Sequence, residues 1–219
     1  MEKMKVKIIM NRLLCFAIFV PFLLHAQTNE VPYNSKGNSL ALTVENTAAV
    51  AAKNVFVEIQ NPPSWLKLES QKIMLKDIQA QKSKEAEFQF GVERSAPVGK
   101  EQKITALIKT SDGQIWTKEI TFTVGPPKEF HLYDNFPNPF NPSTKIAFEL
   151  PVASKVKLVI YDALGREVRT LTDEEHPAGY IELTWDGRNE VGSTVSSGVY
   201  FYQLNCSESA LVKKLILMK

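Results

Sequence analysis

Short runs in which apolar and polar residues alternate fill the chain from Gly37 onward. Alternation with a period of two predicts half-buried β-strands, because successive side chains of a strand point to opposite faces of a sheet. In the first half these runs are SLALTVEN, KNVFVEIQ, EAEFQFGVE, QKITALIKT and QIWTKEITFTV. Turn-forming residues at 61–63, 96–99 and 111–113 separate them at the spacing of an antiparallel sandwich. We therefore predict a β-sandwich over residues 37–125.

Two parts of this half follow the pattern less closely. Residues 72–87 are rich in Lys, Gln, Glu and Ala, a composition that also suits a helix. We predict two strands there, with a helix as the alternative. Residues 27–36 are polar, and we expect them to form a short flexible lead-in.

The second half shows the same alternation with clearer phases. KIAFEL, KVKLVIYD and YIELTW each place three apolar residues on one face, and EVRTL, GVYFYQL and ALVKKLILMK supply further strands. Tight turns are expected at 162–166, 186–189 and 197–198. No segment requires a helix. The predicted fold class is all-β, with two tandem Ig-like antiparallel β-sandwiches, the second over residues 130–219.

Prolines mark the boundary between the halves and the start of the second. Consecutive prolines make residues 126–129 a semi-rigid linker. Beyond it, the stretch DNFPNPFNPSTKIAFELP, which begins at Asp134, contains three closely spaced prolines before its first strand. Proline lacks an amide hydrogen and restricts the residue before it, which excludes this segment from a central strand. We expect it to lie along a sheet margin as a stiff clasp, with Phe136 and Phe140 as apolar anchors.

Residues 1–26 have the layout of a secretory signal peptide that is cleaved between Ala26 and Gln27. A basic segment precedes the apolar run LLCFAIFVPFLL. That run is about 12 residues long and a bilayer crossing needs roughly 20, which disfavours the alternative of a membrane anchor. Without residues 1–26 the chain holds 22 basic and 23 acidic residues. This balance excludes the basic surface that nucleic-acid binding requires.

Cysteine usage limits how the fold is held together. Cys206 is the only cysteine after the predicted leader, which excludes an internal disulfide and a cysteine-based zinc cluster in the mature chain. We therefore expect both domains to be stabilised by packing alone.

Four segments of the first half carry a resemblance: LTVEN at 42–46, NVFVEI at 54–59, PSWL at 63–66 and ITFTV at 120–124. Together they resemble bacterial Ig-like modules of the NPCBM-associated NEW and CARDB type, which are often appended to secreted glycosidases and adhesins. The resemblance implies a binding or spacer domain.

Five motifs occur in order over about 90 residues of the second half: NFPNPFNP, IYD through GREV, WDGRN, SGVYFY, and KKL through the terminal lysine. They resemble the C-terminal sorting domain of the type IX secretion system, and equally the Ig-like domain related to that of the flagellar hook-cap protein. A sorting domain implies delivery of cargo through the outer membrane, often with removal of the domain by a sortase-like enzyme. The WDGRN turn favours the hook-cap-like variant, and whether the domain is cleaved or retained stays open. The resemblance assigns sorting or recognition to Asn135, Pro137, Asn138, Pro139, Phe140, Asp162, Gly165, Gly198, Tyr200, Lys213, Lys214 and Lys219.

Residues with catalytic or metal-binding chemistry are few. His131 and His176 have no local partner pattern for a metal or nucleophile site, and we expect both at surface or turn positions. Residues 186–192 are similar to a calcium loop, but Gly187 and Arg188 stand where oxygen ligands are needed, which favours a plain turn.

Two further features can be interpreted as structural or as functional. Trp65 and Trp116 suit a sugar-stacking platform, but core packing is the favoured interpretation because tryptophan in a small sandwich is usually buried. Residues 173–175 (Asp-Glu-Glu) are interpreted as a solvated acidic loop.

These features predict a non-enzymatic protein without cofactor or metal, exported through the periplasm to the cell surface or medium. The expected partners are the sorting machinery of the outer membrane and a glycan or surface protein, with no nucleic acid and no membrane span after leader cleavage. One alternative is a structural scaffold protein that retains its second domain. A small glycan-active enzyme is disfavoured, because the sequence shows no catalytic constellation.

Overall fold

The computed structural model describes residues 4–10, 29–207 and 209–219. Within these residues the chain consists of strands and connecting turns, without a helix. The predicted all-β, Ig-like fold class is confirmed. The chain divides into two compact units, the first ending at Gly125 and the second comprising Pro126–Lys219.

The first unit contains nine described strands. They are β1 (Met4–Met10), β2 (Asn29–Val31), β3 (Asn38–Asn46), β4 (Ala52–Gln60), β5 (Leu66–Leu68), β6 (Lys72–Ile78), β7 (Ser83–Val92), β8 (Glu101–Lys109) and β9 (Ile115–Val124). One sheet has the order β1-β3-β7-β5, and the other has the order β2-β9-β8-β4-β6.

Alternation along the strands builds the core of the first unit. Every second residue is buried along β3, and also along β4, β7 and β8 from Val55, Ala86 and Ile104 onward, as the period-two pattern predicts. Leu42 and Val57, from the two different sheets, are both fully buried in one apolar cluster. The two strands predicted over residues 72–87 are confirmed as β6 and the start of β7.

The predicted flexible lead-in is wrong for Asn29–Val31. Asn29–Val31 forms β2, a parallel strand on the edge of β9. Val31 is fully buried, and its carbonyl accepts a hydrogen bond from the Gly125 amide at 2.9 Å. A single apolar residue in a polar segment carries no periodic signal, so the sequence pattern missed this strand.

The predicted leader falls mostly outside the described residues, as does its junction at Ala26 and Gln27. The exception is β1, which pairs antiparallel with β3 from Met4↔Asn46 to Met10↔Leu40. In this structure the outer edge of β3 is therefore covered by residues from the predicted leader.

The second unit contains seven strands, arranged in two sheets. They are β10 (His131–Leu132), β11 (Thr144–Leu150), β12 (Ser154–Asp162), β13 (Glu167–His176), β14 (Gly179–Trp185), β15 (Gly198–Cys206) and β16 (Ser209–Leu217). Their sheet orders are β10-β11-β14 and β13-β12-β15-β16. Ile146, Phe148 and Leu150 of β11 pack with Val156, Leu158 and Ile160 of β12 in one core cluster.

Two predictions for the second unit need correction. Residues 173–175 are exposed as expected, but they belong to β13 instead of a loop, because β13 extends beyond EVRTL along Lys155 and Lys157 of β12. His176 is the last residue of β13 and only 12% of its side chain is exposed, whereas a surface or turn position was predicted. Its ring shares a 2.9 Å hydrogen bond with the Thr172 hydroxyl and meets Phe148 edge-on.

Candidate functional site

The proline-rich clasp, defined here as residues 134–142, closes two sheet margins of the second unit. Phe136 pairs with Lys145 of β11, and each residue donates its amide hydrogen to the carbonyl of the other at 2.9 Å. Farther along, the Phe140 amide donates to the Ile216 carbonyl, and the Met218 amide donates to the Phe140 carbonyl, both at 3.0 Å. The clasp thus runs beside β16 as a parallel bridge. The predicted position along a sheet margin is confirmed.

Asn138 completes the contact with β16 through its side chain. Its Oδ1 accepts a hydrogen bond from the Ile216 amide at 3.0 Å, and its Nδ2 donates to the Lys214 carbonyl at 3.4 Å. A side-chain amide has both a donor and an acceptor, so Asn138 supplies a donor between Pro137 and Pro139, which lack an amide hydrogen, and an acceptor for the Ile216 amide. Asn138 satisfies two backbone groups of the C-terminal segment, the Phe140 backbone satisfies two more, and the edge of β16 is closed along these residues.

Asn135 anchors the start of the clasp in the interior. It is only 3% exposed, and its Nδ2 donates to the Pro137 carbonyl at 3.0 Å and to the Thr144 hydroxyl at 2.9 Å. The Thr144 hydroxyl in turn donates to the Pro137 carbonyl at 2.8 Å. Asn135 Oδ1 is buried without a hydrogen-bond partner among the described residues.

Tyr202 of β15 joins this network from the opposite sheet. Its hydroxyl donates to the Tyr133 carbonyl at 2.7 Å and accepts from the Asn135 amide at 3.1 Å. Burial raises the pKa of the Tyr202 phenol, so the hydroxyl remains a donor at all physiological pH values. The sequence analysis missed Thr144 and Tyr202. The signal for Tyr202 was its inward phase in GVYFYQL, because a buried tyrosine hydroxyl needs a partner.

Phe140 fixes the far end of the clasp in the core. It is 2% exposed, and its ring centroid lies 5.5 Å from that of Trp185, which contacts Tyr200 at 5.3 Å. The Trp185 indole donates to the Arg188 carbonyl at 2.9 Å, which ties the WDGRN turn to the same cluster. Gly187 has a φ of +70°, and a Cβ atom there would lie 3.0 Å from the Pro142 carbonyl oxygen. The turn therefore requires glycine where it meets the clasp.

Phe136 corrects the prediction of two apolar anchors. Its side chain is 78% exposed, so Phe140 alone anchors the clasp in the core. The reason is geometric: Phe136 pairs with Lys145, and residues paired across antiparallel strands project to the same face. Lys145 is exposed, and its amine lies 2.7 Å from Glu182 Oε1.

The structure therefore brings part of the predicted site together around the clasp. Asn135, Pro137, Asn138, Pro139 and Phe140 form the clasp itself, and β16 contributes the Lys214 carbonyl. The Lys213 amine lies 2.7 Å from Asp134 Oδ1.

Other predicted residues lie at the turns of the four-stranded sheet. Asp162 Oδ1 accepts hydrogen bonds from the amides of Leu164 and Arg166 at 2.9 and 3.0 Å, within a reversal in which Gly165 has a φ of +77°. The Arg166 amide is the main cause of a lowered pKa at the Asp162 carboxylate.

The start of β15 holds the remaining members. Gly198 begins the strand, and the Tyr200 hydroxyl donates to the Ser196 carbonyl at 2.7 Å. Burial raises the pKa of the Tyr200 phenol. The Lys219 amide donates to Ser197 Oγ at 3.1 Å, which secures the last residue beside this turn.

Two open grooves flank the Asp162 turn. One of about 380 Å³ includes Tyr161, Phe201 and Gln203, and one of about 520 Å³ includes Arg166, Glu190 and Tyr200. In the part of the chain that the structure describes, no group of three or more His, Cys, Asp or Glu residues is placed to hold a metal ion. The same residues contain no helix long and apolar enough to cross a membrane.

The tryptophans of the first unit differ in exposure. Trp65 is 7% exposed and meets Phe122 edge-on at 6.0 Å, within the core cluster. Its ring is therefore not available as a stacking surface. Trp116 is half-buried against the same cluster.

Comparison with known proteins assigns part of the second unit. Residues 136–209 match the family model of the FlgD Ig-like domain. The hook-cap-like resemblance is thus confirmed over these residues, and the sorting-domain assignment stays a prediction. Comparison with curated proteins finds no match.

Several solved structures are similar to the chain at low identity. Dimeric latent PorU from Porphyromonas gingivalis is 14% identical with a TM-score of 0.37, over 98% of this chain and 20% of that one. PorZ, an essential surface component of the type-IX secretion system of the same organism, is 21% identical with a TM-score of 0.33, over 52% of this chain and 15% of that one. Invasin, a bacterial integrin-binding protein, is 11% identical with a TM-score of 0.42, over 98% of this chain and 39% of that one. The chain spans less than half the length of each of these proteins.

Proposed function

We propose that the protein is a non-enzymatic exported protein in which the second unit is a folded sorting module for the outer-membrane secretion machinery. The first unit is then the delivered cargo, acting as a spacer or as a binding domain for a glycan or surface protein. The observation that carries the proposal is the clasp: motifs from 135–142 and 213–219, at opposite ends of the unit, meet through Asn138, Lys214 and Ile216. A receptor for this unit reads a folded surface and not a linear tag.

The test uses the full chain in a host that has the type IX machinery, with a matched host that lacks one component of it. A variant ending at Ser209 loses most of β16, including the buried residues Leu215 and Leu217. Burying such side chains contributes roughly 1.5 to 3 kcal/mol each, a large share of a small domain's stability. We expect the intact chain on the surface of the competent host only, and the truncated chain in the periplasm or degraded. Equal surface delivery of the intact chain in both hosts would contradict the sorting function.

A second candidate is a retained structural module, favoured by the match of residues 136–209 to the FlgD Ig-like domain. The two candidates differ in what stays on the surface. The mass of the surface form decides between them: a chain that lacks residues 126–219 supports a removable sorting module, and an intact second unit in a surface complex supports the scaffold.

A further inference from the structure

Phe136 is an aromatic residue without a structural use for its ring. Its side chain is 78% exposed, while Phe140, four positions later, is 2% exposed. Among the residues that the structure describes, Phe136 is the only exposed Phe, Tyr or Trp. Large rings usually contribute to stability through burial, so this one has a different explanation.

The backbone holds the ring in place. Both backbone hydrogen bonds with Lys145 are 2.9 Å long, the preceding residue Asn135 is buried, and the following residue is Pro137. Phe136 and Lys145 share the solvent face, so turning the ring inward would require a one-residue shift of this pairing. Fixing a contact residue before binding lowers the entropy that binding must overcome.

The clasp offers a partner side chains more readily than backbone. Pro137, Pro139 and Pro142 have no amide hydrogen, and the amides of Phe136 and Phe140 already donate to Lys145 and Ile216. An added strand would therefore find few donors at this margin. Pro137 and Pro139 are themselves exposed beside the ring, and they extend its apolar surface.

We propose that Phe136 is the residue that the folded second unit inserts into an apolar pocket of the outer-membrane protein that receives it. This inference rests on the proposed sorting function and names the contact through which it works. A rigid aromatic side chain filling an apolar pocket is the usual form of an interface hot spot. The partner site is accordingly a pocket lined by apolar and aromatic side chains, and not an open strand edge.

The test compares surface delivery of full-length variants in the competent host, together with their thermal unfolding midpoints. Phe136→Ala keeps the backbone bonds with Lys145, so the midpoint should be unchanged while delivery falls by about tenfold or more. Phe136→Tyr should restore delivery. Val152→Ala is the matched control, because Val152 is 64% exposed between β11 and β12, away from the clasp and from the residues assigned to recognition, and it should be delivered normally. Phe140→Ala should lose delivery together with its folded state.

The outcomes separate this inference from the function beneath it. Normal delivery of Phe136→Ala in the competent host overturns the inference and leaves the sorting function intact. Delivery of the unchanged chain in the host without the machinery overturns both. Unfolding of Phe136→Ala would show that the ring stabilises the second unit, and it would overturn the inference as well.

Discussion

Asn138 Oδ1 accepts a hydrogen bond from the Ile216 amide at 3.0 Å, although 78 positions of sequence separate the two residues. A proline-rich segment can lie beside a strand, but it lacks some of the N–H donors that a regular strand offers. Asn138 supplies a donor and an acceptor between two prolines, so the clasp covers β16 without offering a complete new edge. One side chain thereby links the start of the second unit to its last strand.

Replacing Asn138 with Ala should destabilise the second unit by about 1 to 2 kcal/mol, because the Ile216 amide and the Lys214 carbonyl lose their clasp partner. Denaturant unfolding of the full chain, followed by a probe in the second unit, measures this change. Asn141→Ala is the control within the clasp; Asn141 is exposed, and we expect a change within about 0.5 kcal/mol. Equal effects of the two substitutions would contradict the role assigned to Asn138.

Replacing Tyr202 with Phe should cost about 1 to 3 kcal/mol with almost no change in volume. The Tyr133 carbonyl and the buried Asn135 amide both lose the hydroxyl, and desolvated groups left without a partner carry that penalty. Tyr161→Phe is the matched control, since Tyr161 is half-buried beside an open groove. If Tyr202→Phe leaves the free energy of unfolding unchanged, the Tyr202 hydroxyl does not stabilise the clasp.

The strands were predictable because burial follows period two in both units. KIAFEL shows the limit of that signal: its phase placed Ile146, Phe148 and Leu150 inward correctly, yet Ala147 and Glu149 are buried too. Alternation identifies which face is apolar, but it does not show what covers the other face. The strand β2 was missed for a related reason, because its pairing with β9 is long-range and only Val31 is apolar.

The candidate site was predictable in outline and not in its contacts. The prolines indicated an edge position, since they remove amide hydrogens. The same pattern could not show which of Phe136 and Phe140 is buried. Each is adjacent to a proline, Phe136 before Pro137 and Phe140 after Pro139. Their burial is set by pairing partners, Lys145 for one and the Trp185 cluster for the other, which only the fold supplies.

The Asp162 turn should weaken in acid. The pKa of the Asp162 carboxylate in the folded protein lies below the ordinary value of 3.8. The largest cause is the hydrogen bond that the Arg166 backbone amide donates to it. A lowered folded pKa means that the stabilising contribution is complete above that value and is lost as the pH falls through the folded pKa. The unfolding midpoint of the unchanged chain should therefore fall more steeply below that pH than the midpoint of Asp162→Asn. Parallel pH profiles for the two chains would refute this contribution.

Removing residues 1–26 should open one edge of the first unit, because β1 pairs with β3 along seven residues. The Asn46 amide donates to the Lys82 carbonyl beside β7, and backbone groups of a strand alternate between its two neighbours. Amides at Ala41, Thr43 and Glu45 therefore face β1, and those at even positions face β7. In a chain that begins at Gln27, hydrogen exchange measured by NMR should accelerate by roughly tenfold or more at these three odd positions and stay slow at Leu40, Leu42 and Val44. The comparison requires dilute, monomeric samples, because an uncovered edge can pair with a second copy and regain protection. Unchanged exchange at the odd positions of a monomer would show that β1 does not cover this edge in solution.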